Sequence, residues 1–588
     1  MHDVRSRTNA HPALPACQQE QTSRSEPPAY TALMAYLCPM HARFPVRLLL
    51  LLLGCSALFA VRGQSSVSIT PIPVSVQAME ESPFLLSAKT RIIADPVFDA
   101  QAIYLQAEIQ RQCGIQVKVP SLAASPLVTG ADIQLVFNAA TDSLPEAYVL
   151  ESGNRGITLH AGSVRGIVNG IQTLLQLLPL EQRASVQVPA VRIHDYPRFA
   201  YRGMHLDVVR HFFPLDYVRK YIDYLTFHKF NTFHWHLTDD QGWRIEILSY
   251  PKLNSIGSWR DSTLIGHFRD TPVRYDRTRY GGYYTRAEIK EVLAYAEVRG
   301  ITVIPEVDIP GHSRATITAY PEFSTDPSKA WGVAATWGMY NRQNNVLAPR
   351  EETFRMLRTV FHEIADLFPS TYIHLGGDEC SKLWWKQSPE AQAFIKTNQL
   401  KDEAGLQTYF VRQVSGYLAE KGKKVIGWHE IMEENPDTTA LLMNWADDAK
   451  ALQAVSRGFR VIQTPGKPFY FDHYQSKAKG DSLAIHGYNP LEAVYRYDPV
   501  PAALRAKGLS GRILGGQANV WTEYMGYPSK VDYMIFPRMT AVSEVLWSRP
   551  EAKDYAGFLQ RLQSAILPRY QFWKSSWFPD FLTWDANQ

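Results

Sequence analysis

At 588 residues, 45% hydrophobic and 20% charged, the chain has ordinary globular composition and the length of more than one domain. Its net charge of +4 is small for that length, so no basic footprint for nucleic acid is present. Of the five cysteines, Cys17, Cys38, Cys55, Cys113 and Cys380, only the last two would remain after cleavage at Gly63, so no disulfide framework is implied and the fold must rest on its core.

Residues 1–39 are rich in Gln, Ser, Pro and Arg, lack an apolar period and read as disordered or removed from the mature protein. Met40 opens a better pattern: His41, Arg43 and Arg47, then the apolar run Leu48 to Leu53, then small residues. This is a secretory signal, too short for a transmembrane span, and it predicts an exported protein, periplasmic or secreted. Two endings stay open. One is cleavage after Val61-Arg62-Gly63, leaving only Cys113 and Cys380; the other is an imperfect lipobox at Leu52-Leu53-Gly54-Cys55, tethering the protein by a lipid anchor at Cys55.

Residues 64–197 read as a small α+β domain. Arg91 to Ala94 and Ile133 to Phe137 are strands, and Gln101 to Cys113 is an amphipathic helix stopped by Gly114. A second helix is announced by Gly166 and runs to Leu178. The segment holds no acid/base cluster, so its expected role is structural. Over 198–588 strands are expected near 202–208, 231–237, 301–307, 371–376, 424–428, 440–445, 460–463 and 512–519. Helices at 215–227, 286–299, 353–368 and 403–420 fall between them. That alternation predicts an α/β fold, a (β/α)8 TIM barrel with insertions, whose active site lies at the C-terminal ends of the strands.

Those ends carry Arg202 and Asp207; His234 to Arg244; Pro305 to His312; and His374-Leu375-Gly376-Gly377-Asp378-Glu379. Later ends add Trp428, His429, Glu430, Trp445, Tyr470, Asp472, Trp521 and Glu523. After the fourth strand the glycine pair permits a sharp turn, which two adjacent carboxylates need if both are to reach one pocket. Held together in a partly dry site, they cannot both ionise easily, and one stays available as an acid. Carboxylates among tryptophans suit a sugar, whose C–H face packs on indole while its hydroxyls bond acids. His234 and His236 put two imidazoles on one strand face, the pattern of a metal-dependent hydrolase, but that reading leaves the tryptophans unexplained. A non-catalytic glycan-binding protein on the same fold is the other alternative.

The runs G-M-H-L-D, H-W-H-L-T-D-D-Q-G-W-R, P-E-V-D-I-P-G-H, H-L-G-G-D-E and W-T-E resemble family 20 glycoside hydrolases, the β-N-acetylhexosaminidases, over about 65–550. The resemblance implies retaining, substrate-assisted hydrolysis of terminal GlcNAc or GalNAc, in which the 2-acetamido oxygen attacks the anomeric carbon; the partner is a glycan, with neither cofactor nor metal. It assigns Glu379 as general acid/base, Asp378 as the group holding the acetamide N–H, and Tyr470 as donor to the acetamide oxygen. Arg202 is expected to clamp O3 and O4, and Asp472 and Glu523 to meet O4 and O6. Trp428 and Trp445 are expected to wall the acetamide methyl and Trp521 to lie under the ring. Asp239 and His312 resemble a relay orienting Glu379, and Asp308 a supporting group. The insertion from Pro327 to Pro349, with Trp331, Trp337 and Tyr340, matches none of these motifs.

Overall fold

The computed structural model describes residues 67–120, 132–139, 144–433, 437–478 and 481–579. The leader and Cys55 lie outside the described residues. From Ser65 the chain forms one compact unit.

Six strands make a mixed sheet in the order Ser75–Ala78, Val191–Asp195, Tyr148–Gly153, Gly156–Ala161, Asp132–Phe137, Ile92–Ala94. The predicted strand and helix positions hold, with helices at Asp99–Cys113 and Val164–Gln176. The second begins where Ser163 Oγ accepts the Gly166 N–H at 3.1 Å, an N-cap that satisfies one free amide. It lies close on the sheet through Gly170, where a Cβ would sit 2.6 Å from Leu159 Cδ2.

The barrel strands are β1 Tyr201–Asp207, β2 Thr232–His236, β3 Thr302–Glu306, β4 Tyr372–His374, β5 Lys424–Trp428, β6 Leu441–Asn444, β7 Arg460–Gln463 and β8 Ile513–Ala518. They close in that order, with β8 beside β1, each pair parallel. All seven residues of β1 and all five of β2 are buried. Strands covered on both faces read as unbroken buried runs, which is why each was visible in the sequence. Outer helices begin at strong caps: Thr285 and Glu288 form a capping box for Arg286–Val298, and Asp402 caps Glu403–Glu420.

Sheet and barrel join at the N-terminal ends of the strands through buried charge. Asp195 accepts from Lys229 Nζ and Tyr148 Oη, each at 2.8 Å, and from Trp547 Nε1 at 3.0 Å. Glu146 pairs with Arg202 and accepts from Asn231 Nδ2 at 2.8 Å.

Candidate active site

The opposite end of the barrel opens into a cleft of about 770 Å³. Ten of the twelve predicted site residues line it: Asp239, Asp308, His312, Asp378, Glu379, Trp445, Tyr470, Asp472, Trp521 and Glu523.

The turn after β4 delivers the carboxylate pair. Gly376 and Gly377 have φ of 65° and 90°, and Glu379 itself takes φ 42°, left-handed values that only glycine adopts without strain. A Cβ on Gly376 would collide with the Asp308 carboxyl, and Asp308 Oδ1 accepts the Gly377 N–H at 3.0 Å. Asp308 therefore braces the turn. His312, also left-handed at φ 44°, brings its imidazole beneath the pair, with Nε2 3.8 Å from Asp378 Oδ2 and 3.7 Å from Glu379 Oε2. Its Nδ1 donates to Asp239 Oδ1 at 3.0 Å. Asp239 Oδ2 in turn meets His236 Nε2 at 3.0 Å, and His236 Nδ1 reaches Glu306 Oε2 at 2.5 Å. Both nitrogens of His236 are thus spent on carboxylates, and although burial opposes the charge, Glu306 and Asp239 push its pKa up to about 10.

Electrostatics separate the acids. Desolvation by the cleft walls pushes Glu379 above its ordinary value, although about half of its side chain still meets solvent; His312 works against the shift and Asp378 adds to it. Burial disfavours a charge on His312, but Asp239, Asp240 and Asp308 overcome this and hold the imidazole well above its ordinary pKa. Burial and then Glu523 raise Asp472 well above normal, and burial takes Glu523 up to about 7 despite the Arg210 cation. Burial, with Asp378 and Asp472 nearby, keeps the Tyr470 phenol protonated and able to donate. Asp378 Oδ1, Asp472 Oδ1 and Glu523 Oε2 are buried yet accept no hydrogen bond from any described protein group. Buried acceptors are otherwise nearly always satisfied, so three on one cleft point to a ligand rich in O–H and N–H donors.

Arg202 is not in the cleft. As the second residue of a seven-residue strand, it sits at the wrong end of β1, roughly 17 Å of extended chain from Asp207. There it is 1% exposed, donating to Lys229 O and Phe199 O at 2.9 and 2.8 Å and pairing with Glu146. The guanidinium that faces the cleft is Arg210, three residues past the end of β1. It reaches Asp239 Oδ2 at 2.7 Å, Asp207 Oδ2 at 3.1 Å and Glu523 Oε1 at 3.8 Å, 5.1 Å from the Trp521 ring. Its spacing from Asp207, whose carboxylate caps the turn through the Val209 and Arg210 amides at 2.7 and 3.1 Å, was the available signal.

Trp521 is 8% exposed, and behind it lies Trp428, fully buried, ring centroids 5.9 Å apart. Trp428 Nε1 donates to Glu306 Oε1 at 2.9 Å, so it backs the wall rather than lining the cleft. Trp445 is held by Nε1 donating to both oxygens of Glu430 at 3.1 Å. Burial and the Asp378 charge push Glu430 up to about 8, a second proton store that sequence reasoning gave no role. The 327–349 insertion also reaches the cleft, through Trp337, Met339, Tyr340, Arg342 and Asn345.

Residues 199–550 match the description "Glycosyl hydrolase family 20, catalytic domain", and 66–196 match "Glycosyl hydrolase family 20, domain 2". The chain belongs to glycosyl hydrolase family 20. Within that family it is similar to a β-hexosaminidase of Porphyromonas gingivalis, 38% identical over 85% of this chain and 63% of the relative. A β-hexosaminidase of Vibrio furnissii is 41% identical over 71% of this chain and 67% of the relative. The chain thus spans about two thirds of the length of these relatives. Among solved family 20 structures, an exo β-N-acetylglucosaminidase of Vibrio harveyi in complex with N-acetylglucosamine superposes with a TM-score of 0.76 at 32% identity, covering 87% of this chain and 78% of that one.

Proposed function

We propose that the chain is an exo-acting, retaining β-N-acetylhexosaminidase that releases terminal β-linked GlcNAc or GalNAc from oligosaccharides or glycoconjugates by substrate-assisted catalysis. The observation that carries the reading is the Gly376-Gly377 turn, which directs Asp378 and Glu379 into the cleft that Tyr470 and Trp521 also line.

In this reading the sugar lies against Trp521 with its O3, O4 and O6 among Arg210, Asp472 and Glu523, whose orphan oxygens accept hydroxyls. Its 2-acetamido group enters between Trp445 and Tyr470. The amide oxygen, aimed by the Tyr470 hydroxyl, attacks C1 as the C1–O bond breaks and the leaving oxygen takes the proton of Glu379. Nitrogen gains positive charge in the resulting oxazolinium and Asp378 stabilises it. Water then adds to C1 from the vacated side, giving its proton to Glu379, and the ring opens to N-acetylhexosamine with retained configuration. A tethered nucleophile gains effective molarity equivalent to about 7–11 kcal/mol in well-oriented cases, so no protein carboxylate need attack. Asp239 and His312 hold Glu379 in place, and the raised pKa of Glu379 supports its role as a neutral acid.

The test is hydrolysis of aryl β-GlcNAc, aryl β-GalNAc and aryl β-glucoside. Release from the first two with the glucoside slower by several orders of magnitude is expected; comparable cleavage of the glucoside would sink the acetamide mechanism. Among the described residues no helix is long and apolar enough to cross a membrane. Export is proposed on the run Leu48 to Leu53, and N-terminal sequencing with lipid labelling of the mature protein tests cleavage after Gly63 against an anchor at Cys55.

A further inference from the structure

The floor of the cleft mixes charge, with Asp239, Asp308, Asp378, Asp472 and Glu523 around Arg210 and His312, whereas its mouth is mainly basic, carrying Arg269, Arg342 and Lys467, all exposed. None of the three forms an ion pair with another described residue. His473 and His486 lie between the loops bearing Arg269 and Lys467, their rings 5.1 Å apart. Burial first, then neighbouring cations, hold both below the ordinary imidazole value, so the positive charge at neutral pH rests on the arginines and the lysine. Asp447, exposed beside them, caps its helix by accepting the Lys450 N–H at 3.1 Å and offsets part of that positive charge.

These cations belong to a constructed rim. Tyr524 ties two loops together: its hydroxyl accepts the Phe268 N–H at 3.1 Å, His267 stacks on its ring at 5.2 Å, and Trp337 meets the ring edge-on at 5.5 Å. The insertion is then fastened beside the catalytic turn, where Ser381 Oγ, two residues beyond Glu379, donates to Asn341 Oδ1 at 2.6 Å. This sets Tyr340, 50% exposed, and Arg342 on either side of a residue anchored to the acid's own loop. Glu379 is 53% exposed and marks the border between floor and mouth, where the leaving oxygen must lie.

We propose that this rim is the subsite for the sugar next to the one released, and that it takes a sugar bearing an acidic substituent, a carboxylate or a sulfate ester. Tyr340 offers a face for the sugar's C–H surface and Arg342 a planar fork for the anion, with Arg269 and Lys467 adding to the field. The proposal rests on the hexosaminidase reading above.

The experiment measures kcat/KM of the full chain on terminal β-GlcNAc joined to a neutral hexose, to a uronic acid and to an O-sulfated hexose, at low and high ionic strength, with aryl β-GlcNAc as reference. Either or both acidic acceptors should exceed the neutral one by roughly five-fold at low salt, as one or two exposed pairs allow, and the advantage should shrink at high salt. Whichever acid leads identifies the substituent. Arg342→Gln should bring the acidic-to-neutral ratio toward one, and Arg269→Gln with Lys467→Gln should remove the remainder. Reading a ratio discounts any loss of folded enzyme, which scales both substrates. A wild-type ratio of one or less, or a ratio that the triple variant leaves unmoved, overturns the subsite while leaving the enzyme intact. No release from any β-GlcNAc substrate would overturn the hexosaminidase reading and this one with it.

Discussion

The two ends of the barrel bury the same residue types to opposite effect. At the N-terminal end Arg202 and Lys229 meet Glu146 and Asp195, and neighbouring amide, phenol and indole donors complete the acids' partners. At the C-terminal end Arg210 meets Asp207, Asp239 and Glu523, and His236 and His312 also bond Asp239. Arg202 and Glu146 form a closed joint, whereas Asp378, Asp472 and Glu523 each keep a buried oxygen that no described protein group bonds. Burial alone therefore does not distinguish framework from chemistry; unmet hydrogen-bonding capacity does.

The largest expected effect lies at the turn after β4. Glu379→Gln should lower kcat on an unactivated disaccharide by about 10²–10⁴, the usual contribution of a positioned acid. Azide should partly restore Glu379→Ala on an activated aryl glycoside, which needs no acid to leave. Asp378→Asn should cost about 10²–10³, as loss of one charge-stabilising group does elsewhere.

Substituting the two arginines in turn tests the difference between the ends. Arg202→Ala leaves buried Glu146 with only the more exposed Arg165, 3.5 Å away, and should cost about 3–5 kcal/mol in denaturant unfolding, with kcat/KM of the folded fraction unchanged within about two-fold. Arg210→Ala, assayed at a temperature where both variants are folded, should lower kcat/KM by at least about ten-fold through loss of a charge-assisted contact to the sugar. Equal activity losses would erase the distinction between the ends.

Titration should also separate them. Glu146 is buried, but Arg202 and Arg165 outweigh that and hold its pKa below the ordinary 4.5. Its stabilisation is complete above that value and is lost as pH falls through the lower folded one. Glu523 and Glu430 behave in the opposite sense: burial raises them from 4.5 to about 7 and about 8. Between their unfolded and folded values the native state holds more protons, so stability declines as pH rises through that window. Buried histidines such as His228 and His234, lowered to about 4, pull the other way, so the contribution is read by difference: from pH 5 to pH 8 Glu430→Gln should gain stability relative to the wild type. In activity, Asp378→Asn removes a charge that raises Glu379, so the alkaline limb should move down in pH. His312→Gln removes the cation that lowers it, so the limb should move up.

The smallest effect concerns Trp445→Phe, which keeps a ring but forfeits the bond to Glu430. A loss of about 1 kcal/mol, appearing as a several-fold rise in KM for aryl β-GlcNAc, is expected.

Much of this was visible in the chain. Buried aromatic and β-branched runs such as Thr232–His236 and Arg460–Gln463 located the barrel strands, and the Gly-Gly-Asp-Glu turn located the acids, because both signals are local. Arg210 was missed because its place depends on where β1 ends, and Arg202 was taken instead because both lie beside the same motif. One strand length separates support from site. The mouth was illegible for another reason: Phe268, Trp337 and Tyr524 come from three distant segments, and no short pattern predicts that they meet. Trp428 sits at a strand end as expected, but only packing reveals that Trp521 stands in front of it.

In the proposed mechanism the substrate's own amide oxygen is the nucleophile. Aryl glycosides of glucosamine acylated with acetyl, fluoroacetyl, difluoroacetyl and trifluoroacetyl groups differ little in size but steeply in the electron density of that oxygen. We predict that kcat/KM falls progressively by orders of magnitude along the series. A flat profile, with the trifluoroacetyl glycoside cleaved as fast as the acetyl one, would contradict it.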